Sequence, residues 1–355
     1  MVSLQGFRRV GPIGIDLGSR SIKLVQMNGD RSKILESVRW DLPIEPAADA
    51  DEQLKRWTKA LVEAREGRKF RGKDVVVCLG ARELAIQNVR VMKPASGDLE
   101  PLILKEIGDR FAYPIAESDI RFLEAADVRQ GDTIRREVIV LGCHRPALNK
   151  FMQVLDDSGL KPVAVEAEPQ SILRCYSAQY RRDEDKDQRS ILVHVGNTNT
   201  AVVIAQGEEI LFIKYIELGG KHFDEAVART LKMELPAAWA LRRNNGDRRT
   251  ELQDAEIART VNESIRPVVD RLANEVSLCI RYHSVTFRGQ PLVRLVLGGG
   301  EATQNLVERL AARLDLKCEL GDPFRSFPSA VPLVGNGRRS QWDVAVGMAM
   351  RRFDE

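Results

Sequence analysis

The sequence predicts an α/β protein with a duplicated body, and two observations lead to this expectation. Short apolar segments of strand length alternate with segments whose apolar residues recur at helical spacing. In addition, residues 11–27 and 191–210 share one pattern: an apolar strand, a turn rich in Gly and hydroxyl residues, and a second strand. The repeated pattern indicates that the chain contains two related lobes.

Composition limits the kind of protein that this chain can be. With 355 residues it is too long for one ordinary core, so we expect two or three domains. The formal net charge of +3, with 43% hydrophobic and 30% charged residues, is typical of a globular protein and argues against one that coats nucleic acid. No apolar run reaches the roughly 18 residues of a membrane helix, and the N-terminus lacks the apolar region of a secretory signal. We therefore expect a cytoplasmic protein.

The cysteines and histidines do not predict a metal site or a catalytic triad. Five cysteines are scattered without a C-x-x-C pair, and four histidines are equally dispersed. Most of the cysteines lie in apolar segments, where a free thiol behaves as a small hydrophobic side chain. Reduced structural cysteines are the simplest interpretation.

The first elements follow from local pattern. Two apolar strands flank a turn at Ser19–Arg20, which predicts a hairpin over Gly11–Met27. Residues 48–68 carry apolar side chains at helical spacing, with a stop signal at Gly67, and residues 74–80 form a short apolar run. These segments predict a helix followed by a buried strand.

From about Glu83 the segments become mixed and charged, which predicts a small α/β unit with its own sheet. An amphipathic helix is expected around Leu99–Phe111, with strands after it, and a further helix over Pro146–Ser158. The segment KPVAVEAEP then leads from a strand into a helix that ends near Tyr176.

The second half opens with an almost wholly charged stretch, residues 181–189, which is typical of a solvated linker. After the second hairpin we expect a long helical region that is broken at Asn244–Asp247. A buried strand then runs into glycines (residues 291–301), followed by helices over Thr303–Leu314 and residues 343–353.

The turns of the two hairpins carry residues that suit the oxygens of a phosphate group. We call them the first loop (residues 16–23) and the second loop (residues 196–200). Their glycines allow close approach of the backbone, while hydroxyl and amide groups supply donors. Lys23 would add a positive charge, and Asp16 would hold a magnesium ion through water. Either turn alone is more simply an ordinary hairpin turn, but the pair favours a nucleotide site.

A run of three glycines, Gly298–Gly300, connects a strand to a helix and is called the glycine loop below. Without side chains such a turn can lie against an adenine or ribose. Taken alone, the run is equally typical of a plain turn.

Five segments occur in the order used by the actin-like ATPase superfamily, which the chain resembles. They are GIDLGSRSIK and VHVGNTNTAVVI for the phosphate loops, VLGGGEAT for the adenosine loop, and VEAEPQSIL and AVGMAM for the connecting helices. The resemblance implies an actin-like ATPase (ribonuclease H-like) duplicated fold, with two lobes that bind ATP or ADP and Mg²⁺ between them.

Within that superfamily the chain is most similar to the PilM family of type IV pilus assembly. The similarity is carried by stretches such as IGIDLGSRSIKLVQM, FAYPIAESDI and DDSGLKPVAVEAEPQSILRCY. It implies a small inserted domain beside the first lobe, like that of the cell-division protein FtsA. It also implies a cytoplasmic scaffold that is recruited to the inner membrane by gripping the N-terminal cytoplasmic peptide of a PilN-like protein.

The resemblance and the change to mixed, charged segments from about Glu83 together predict domain boundaries. These are the first lobe core at 1–83, the small inserted domain at 84–165, a connecting helix and charged linker at 166–190, the second lobe core at 191–218 and 290–335, its subdomain at 219–289, and a C-terminal connecting helix at 336–355.

Carried over position by position, the resemblance implies a nucleotide site made of small and hydroxyl-bearing residues. Its predicted members are Asp16, Gly18, Ser19, Ser21 and Lys23 in the first loop, Gly196, Asn197, Thr198 and Thr200 in the second, Gly219 and Gly220 near the phosphates, and Gly298, Gly299 and Gly300 against the nucleoside. Glu168 occupies the place of a glutamate that positions water for catalysis. It is equally explained as a carboxylate favoured by the dipole at a helix N-terminus.

One departure bears on catalysis. The second loop of the superfamily usually begins with an Asp that helps to hold magnesium-bound water, and here that position is His194. A neutral imidazole does not neutralise the charge of a divalent ion, and a protonated one repels it. We therefore expect nucleotide binding with slow or absent hydrolysis.

Two other functions stay open at this point. A small-molecule kinase needs an aspartate base, and the candidates Asp98, Asp109 and Asp132 all lie in the small inserted region. A filament-forming scaffold like FtsA would self-associate, which one sequence does not reveal. For the partner peptide, segments Leu84–Met92 and Leu102–Phe111 carry apolar positions that would line its groove or form ordinary core.

Overall fold

The computed structural model describes most of the chain. The described residues are 10–45, 47–92, 98–108, 110–130, 132–180, 185, 187–246, 254–287, 290–327, 333 and 337–353. They divide into unit 1 (Met1–Gly80, Ala147–Gln179 and Asp322–Glu355) and unit 2 (Ala81–Pro146 and Tyr180–Gly321).

Strands and helices alternate as expected. The strands are β1 (Val10–Leu17), β2 (Ser21–Asn28), β3 (Ile34–Asp41), β4 (Asp74–Leu79), β5 (Leu84–Met92), β6 (Ser118–Gln130), β7 (Thr133–His144), β8 (Lys161–Ala167), β9 (Arg189–Val195), β10 (Thr200–Gln206), β11 (Glu209–Ile216), β12 (Leu292–Gly298) and β13 (Cys318–Leu320). The helices are α1 (Ala50–Glu63), α2 (Glu100–Ile107), α3 (Arg145–Asp157), α4 (Glu168–Ser177), α5 (Gly220–Leu231), α6 (Leu235–Gly246), α7 (Ala255–Thr286), α8 (Gln304–Leu314) and α9 (Asp343–Ala349).

Unit 1 is built on a five-stranded sheet with the order β3-β2-β1-β4-β8. Its first three strands are antiparallel neighbours, whereas β4 runs parallel to both β1 and β8. Helix α9 packs on β1 and β2, and its apolar residues join a core cluster with Trp342 and Phe324. Almost every residue of α9 is buried, which is why this segment is apolar on all sides.

Helices α4 and α9 of unit 1 cross at close range. A Cβ atom built on Gly347 of α9 would lie only 1.9 Å from the carbonyl oxygen of Ser171 in α4. Only glycine allows this approach of two helix backbones. Beside the crossing, the guanidinium of Arg174 donates to the carbonyl of Gly347 at 2.8 Å and pairs with Glu166. The crossing therefore fixes the C-terminal helix against the rest of unit 1.

Unit 2 contains a second five-stranded sheet, with the order β11-β10-β9-β12-β13. Strands β9, β10 and β11 are antiparallel neighbours, and β12 runs parallel to β9 and β13. Order and direction match those of the sheet in unit 1, strand for strand. The predicted duplication is therefore confirmed.

A three-stranded antiparallel sheet, β5-β7-β6, also belongs to unit 2. Helix α2 covers it, and their shared core contains Val89, Ile103, Ile107 and Phe111.

Polar contacts join this small sheet to the second five-stranded sheet and to α7. Asn88 donates to the carbonyl of Ile213 in β11 at 2.9 Å. Buried Glu137 accepts from Arg90 at 2.6 Å and from the hydroxyl of Tyr282 in α7. The small sheet thus forms one compact body with the strands that carry the second loop.

The structure differs from the sequence expectations at several places. The small inserted domain is expected beside the first lobe and up to residue 165, whereas its sheet belongs to unit 2. Strand β8 lies in the sheet of unit 1, beside β4. Strands β3 and β13 were not predicted. Most of the charged stretch 181–189, and residues 247–253 after α6, lie outside the described residues.

In the part of the chain that the structure describes, none of the helices combines the length and the apolar character needed to cross a bilayer.

Candidate functional site

The first loop connects β1 to β2 in unit 1. The two strands stay paired up to Leu17 and Ile22, so the bend itself is short. A Cβ atom on Gly18 would lie 2.7 Å from the carbonyl oxygen of Ser21, which excludes a side chain at that position. The indole of Trp57 in α1 donates to the carbonyl of Gly18 at 2.9 Å. The bend is therefore held both by its own geometry and by the neighbouring helix.

Asp16 and Lys23 face each other across the two strands. The ammonium of Lys23 lies 2.7 Å from Oδ2 of Asp16, and both side chains are largely buried. The positive charge that Lys23 offers to an anion is thus shared with Asp16. Of the two predicted serines, Ser21 is 7% exposed, whereas Ser19 is half-buried at the bend. Ser19 is therefore the more accessible hydroxyl of the first loop.

Glu168, the predicted catalytic carboxylate, is the first residue of α4. Its Oε2 lies 3.6 Å from the position of a Cβ atom on Gly80, which follows β4. Its backbone carbonyl accepts from the hydroxyl of Ser171 at 2.7 Å. This location agrees with a carboxylate favoured by a helix N-terminus, and a catalytic role stays a prediction.

The second loop lies between β9 and β10 in unit 2 and rests on the start of α5. A hydrogen bond of 2.9 Å from the amide of Gly196 to the carbonyl of Asn199 closes the turn. The amide of Gly220 then donates to the carbonyl of Gly196 at 3.0 Å. A Cβ atom on Gly219 would lie 2.6 Å from that same carbonyl oxygen, so glycine is required there. The structure thus brings together predicted residues that are separated in sequence.

The hydroxyl groups of the second loop differ in accessibility. Thr200 is fully buried, and its hydroxyl donates to the carbonyl of Leu218 at 2.7 Å. Thr198 is exposed at the tip, where its Oγ1 accepts from the side chain of Asn199. The geometry favours Thr198 as the ligand-facing hydroxyl and a structural role for Thr200.

His194 occupies the end of β9, opposite Ala201 of β10 and Gly298 of β12. The residue is 9% exposed, and its Nε2 lies 3.9 Å from the position of a Cβ atom on Gly196. The imidazole is therefore at the base of the second loop. At this position the superfamily usually carries an aspartate.

The glycine loop follows β12 directly. Gly299 has a φ of +93°, and a Cβ atom there would lie 2.5 Å from the carbonyl oxygen of Val195. Around Gly300, in contrast, no described atom lies within 4 Å of the Cβ position. Gly299 is thus required by the packing on β9, while Gly300 has open space on the side of the backbone where a Cβ atom would project.

Sequence reasoning missed a group of buried charges that borders the glycine loop. We call it the arginine cluster; it consists of Asp224, Arg242, Arg243 and Glu301. Arg242 pairs with Asp224 at 2.7 Å and with Glu301 at 2.5 Å. Burial alone would lower the pKa of Arg242, but the two carboxylates outweigh it and raise that pKa above its ordinary value. The only sequence signal was a pair of arginines in a predicted helix.

The described candidates for the aspartate base of a kinase lie in turns of the small inserted region. Oδ1 of Asp98 accepts from the backbone amide of Glu100 at 2.9 Å, in the turn that leads into α2. Asp109, the second kinase candidate, lies outside the described residues, and Asp132 lies in the turn between β6 and β7. Among the described residues, no three His, Cys, Asp or Glu side chains gather in a way that would hold a metal ion.

All five cysteines lie among the described residues, and none of them forms a disulfide bond. Burial raises the pKa of the Cys143, Cys279 and Cys318 thiols to about 11, which keeps them protonated and unreactive.

Comparison with known proteins gives a consistent fold. The family described as type IV pilus assembly protein PilM matches residues 14–353. The structure is similar to a PilM–PilN type IV pilus biogenesis complex, with a TM-score of 0.74, 22% identity, and coverage of 96% of this chain and 98% of that one. Among curated proteins, none matches this chain.

Two further solved structures share the fold at lower identity. The ethanolamine utilization protein EutJ from Carboxydothermus hydrogenoformans gives a TM-score of 0.55 at 12% identity, covering 96% of this chain and 89% of that one. A Bacteroides thetaiotaomicron protein described as having an actin-like ATPase fold and unknown function gives 0.51 at 7% identity, covering 99% and 100%. The predicted actin-like ATPase fold is confirmed.

Proposed function

The chain belongs to the PilM family of type IV pilus assembly proteins, and we propose that it acts as a nucleotide-binding adaptor of that machinery. In this role it works in the cytoplasm at the inner membrane face. It binds ATP or ADP with Mg²⁺, and it holds the N-terminal cytoplasmic peptide of a PilN-like inner-membrane protein. Membership of the family over residues 14–353 supports the assignment to pilus assembly.

The observation that carries nucleotide binding is the repetition of one loop geometry. Each five-stranded sheet opens with a hairpin whose bend contains a glycine close to a backbone carbonyl and an accessible hydroxyl, Ser19 in one and Thr198 in the other. A Cβ atom would lie 2.7 Å from that carbonyl oxygen at Gly18 and 3.0 Å from it at Gly196. Amide and hydroxyl donors on a tight bend suit phosphate oxygens. The open backbone of Gly300 suits the flat face of a nucleoside in the same way.

The residues present fit magnesium only in part. Asp16 is the carboxylate of the first loop, and it is already paired with Lys23. Mg²⁺ is usually bound through one or two carboxylates, several waters and the substrate phosphates. We therefore assign Asp16 a water-mediated contact, with the phosphates of the nucleotide as the main ligands of the ion.

Slow hydrolysis follows from His194. The imidazole at the base of the second loop does not supply the negative charge that would hold and polarise a metal-bound water. In this proposal the nucleotide stabilises a conformation and is turned over slowly or not at all. The adaptor function then depends on nucleotide binding and not on nucleotide hydrolysis.

Within the small sheet and α2, most of the apolar residues proposed for peptide binding serve as core. Val89, Ile103, Ile107 and Phe111 pack against one another. Leu102 on α2 is 37% exposed and is available to a partner. We assign the exposed side of α2 to the peptide.

The test is binding of a labelled N-terminal peptide from the PilN-like protein of the same organism, measured by fluorescence anisotropy. Leu102→Asp weakens binding about tenfold, because a charge is placed in an apolar contact. Val62→Asp is the matched control, since Val62 is 40% exposed on α1. Absence of peptide binding by the unmodified chain would remove the adaptor assignment.

A further inference from the structure

The arginine cluster joins three segments of unit 2 that lie far apart in sequence. Helix α6 supplies Arg242 and Arg243 as adjacent residues. Arg242 bridges Asp224 of α5 and Glu301, which directly follows the glycine loop. Because the two acids lie on different segments, one side chain fixes the distance between α5 and the end of the glycine loop.

The same arginines also hold backbone carbonyl groups of predicted nucleotide residues. Arg243 donates from Nη1 to the carbonyl of Gly300 at 2.8 Å, and Arg242 donates from Nη2 to the carbonyl of Gly220 at 3.4 Å. Each guanidinium also pairs with Glu301. Because its donors lie in a rigid fork, the ion pair and the carbonyl contact together fix orientation as well as distance. The carbonyl contacts thus orient Gly300 and Gly220.

Burial indicates why charged residues are used here. Asp224 is fully buried, and the other three members are at most 8% exposed. Buried ion pairs stabilise a fold no better than apolar residues of similar volume, and they are most useful where they select one geometry. The cluster borders Gly300, which has open space where a Cβ atom would project. A fixed position of this backbone would determine how a ligand contacts it.

We propose that Arg243, supported by Arg242 and Glu301, is a positioning residue that sets the backbone of Gly300 for contact with the nucleoside. The inference rests on the proposed nucleotide binding. The backbone of Gly299 is already held in place, because it packs directly on the backbone of Val195. Arg243, on helix α6, restrains the next residue of the loop, Gly300, through its carbonyl group. Without this restraint the loop would rotate its carbonyl and lose its fit to the base and ribose.

The experiment compares Arg243→Met and Arg243→Lys with the unmodified chain, using calorimetric titration with ADP and GDP in the presence of Mg²⁺. Arg243→Met weakens ADP binding about tenfold, which corresponds to about 1.4 kcal/mol. It also reduces the preference for ADP over GDP, because the base is no longer held in one position. Arg243→Lys recovers part of both effects. Arg259→Met is the control, since the side chain of Arg259 is 80% exposed and, within the described part of the chain, pairs with Glu263 of its own helix.

The outcomes separate this inference from the proposed function. If Arg243→Met lowers the melting temperature but leaves the ADP affinity and the ADP/GDP ratio unchanged, the cluster is only structural and the inference is overturned. If the unmodified chain binds neither nucleotide, both the inference and the nucleotide-binding function are contradicted.

Discussion

At the residue scale, the buried histidine His283 shows how a fold selects a protonation state. It lies in the last turn of α7, is 1% exposed, and its Nε2 is 3.2 Å from Nη1 of Arg189. Burial, and then the charge of Arg189, lower the pKa of His283 from 6.5 to about 4. The ring is therefore neutral and accepts a hydrogen bond from the guanidinium.

This pKa predicts a pH dependence of stability. The unfolded chain binds a proton at His283 below about pH 6.5, whereas the folded chain does so only near pH 4, so stability falls as the pH drops between these values. For this group the loss from pH 7 to pH 5 is about 2 kcal/mol. His283→Gln keeps an acceptor for Arg189 and removes the titration. Urea unfolding at both pH values should show a smaller loss for the variant, and equal losses would refute the prediction.

The substitution at the second loop makes a prediction about turnover. His194→Asp restores a carboxylate at the base of the loop and should raise ATP hydrolysis at least about tenfold, which requires a barrier lower by about 1.4 kcal/mol. His194→Asn introduces a side chain of the same size as aspartate but without its charge, so ATP turnover should stay low. The assay is phosphate release under saturating MgATP, with melting curves to show that both variants fold. Brisk hydrolysis by the unmodified chain would disprove the interpretation of His194.

Not all site residues were visible in the sequence. The loops could be predicted because Gly, Ser and Thr at a turn are a local signal. The arginine cluster could not, because Asp224, Arg242 and Glu301 meet only after α5, α6 and the glycine loop have packed. Likewise, the burial of Thr200 depends on its hydrogen bond to Leu218, which sequence spacing does not reveal.

At the element scale, the crossing of α4 and α9 depends on a single missing side chain. Gly347→Ala would place a methyl group 1.9 Å from the carbonyl oxygen of Ser171, so the helices would have to separate. Overpacking of this kind costs about 1–3 kcal/mol, and we expect a loss of about 2 kcal/mol or more in urea unfolding. Gly80→Ala is the matched control because its Cβ atom would meet Glu168 at an ordinary 3.6 Å. Equal stability of the two variants would show that the crossing tolerates a side chain.

Elements with strong local patterns were predicted well, and those defined by distant pairing were not. The hairpins β1–β2 and β9–β10 and the helix after Thr303 follow from apolar periodicity, turn residues and a capping side chain. The predicted boundary at residue 165 places most of strand β8 in the small domain. Its parallel partner, β4, lies far upstream, and only the folded sheet shows the pairing.

At the scale of the whole molecule, each of the two units contains one copy of the duplicated five-stranded sheet. Two sheets with the same strand order and directions each present a hairpin bend with glycine and hydroxyl groups. The small sheet is fixed to unit 2 by Asn88, Arg90 and Glu137, so that it forms one body with the second loop and the glycine loop. The sequence predicted the repeat and the small sheet. The family resemblance placed that sheet beside the first lobe, whereas it is joined to β11 and α7 within unit 2.

The central claim is that this pilus-assembly protein binds an adenine nucleotide. The most direct measurement is calorimetric titration of the purified chain with ADP in the presence of Mg²⁺. We predict a saturable heat of association with one nucleotide bound per chain. A titration without any heat of association, repeated at a second temperature so that a zero enthalpy is not mistaken for absence of binding, would contradict the claim.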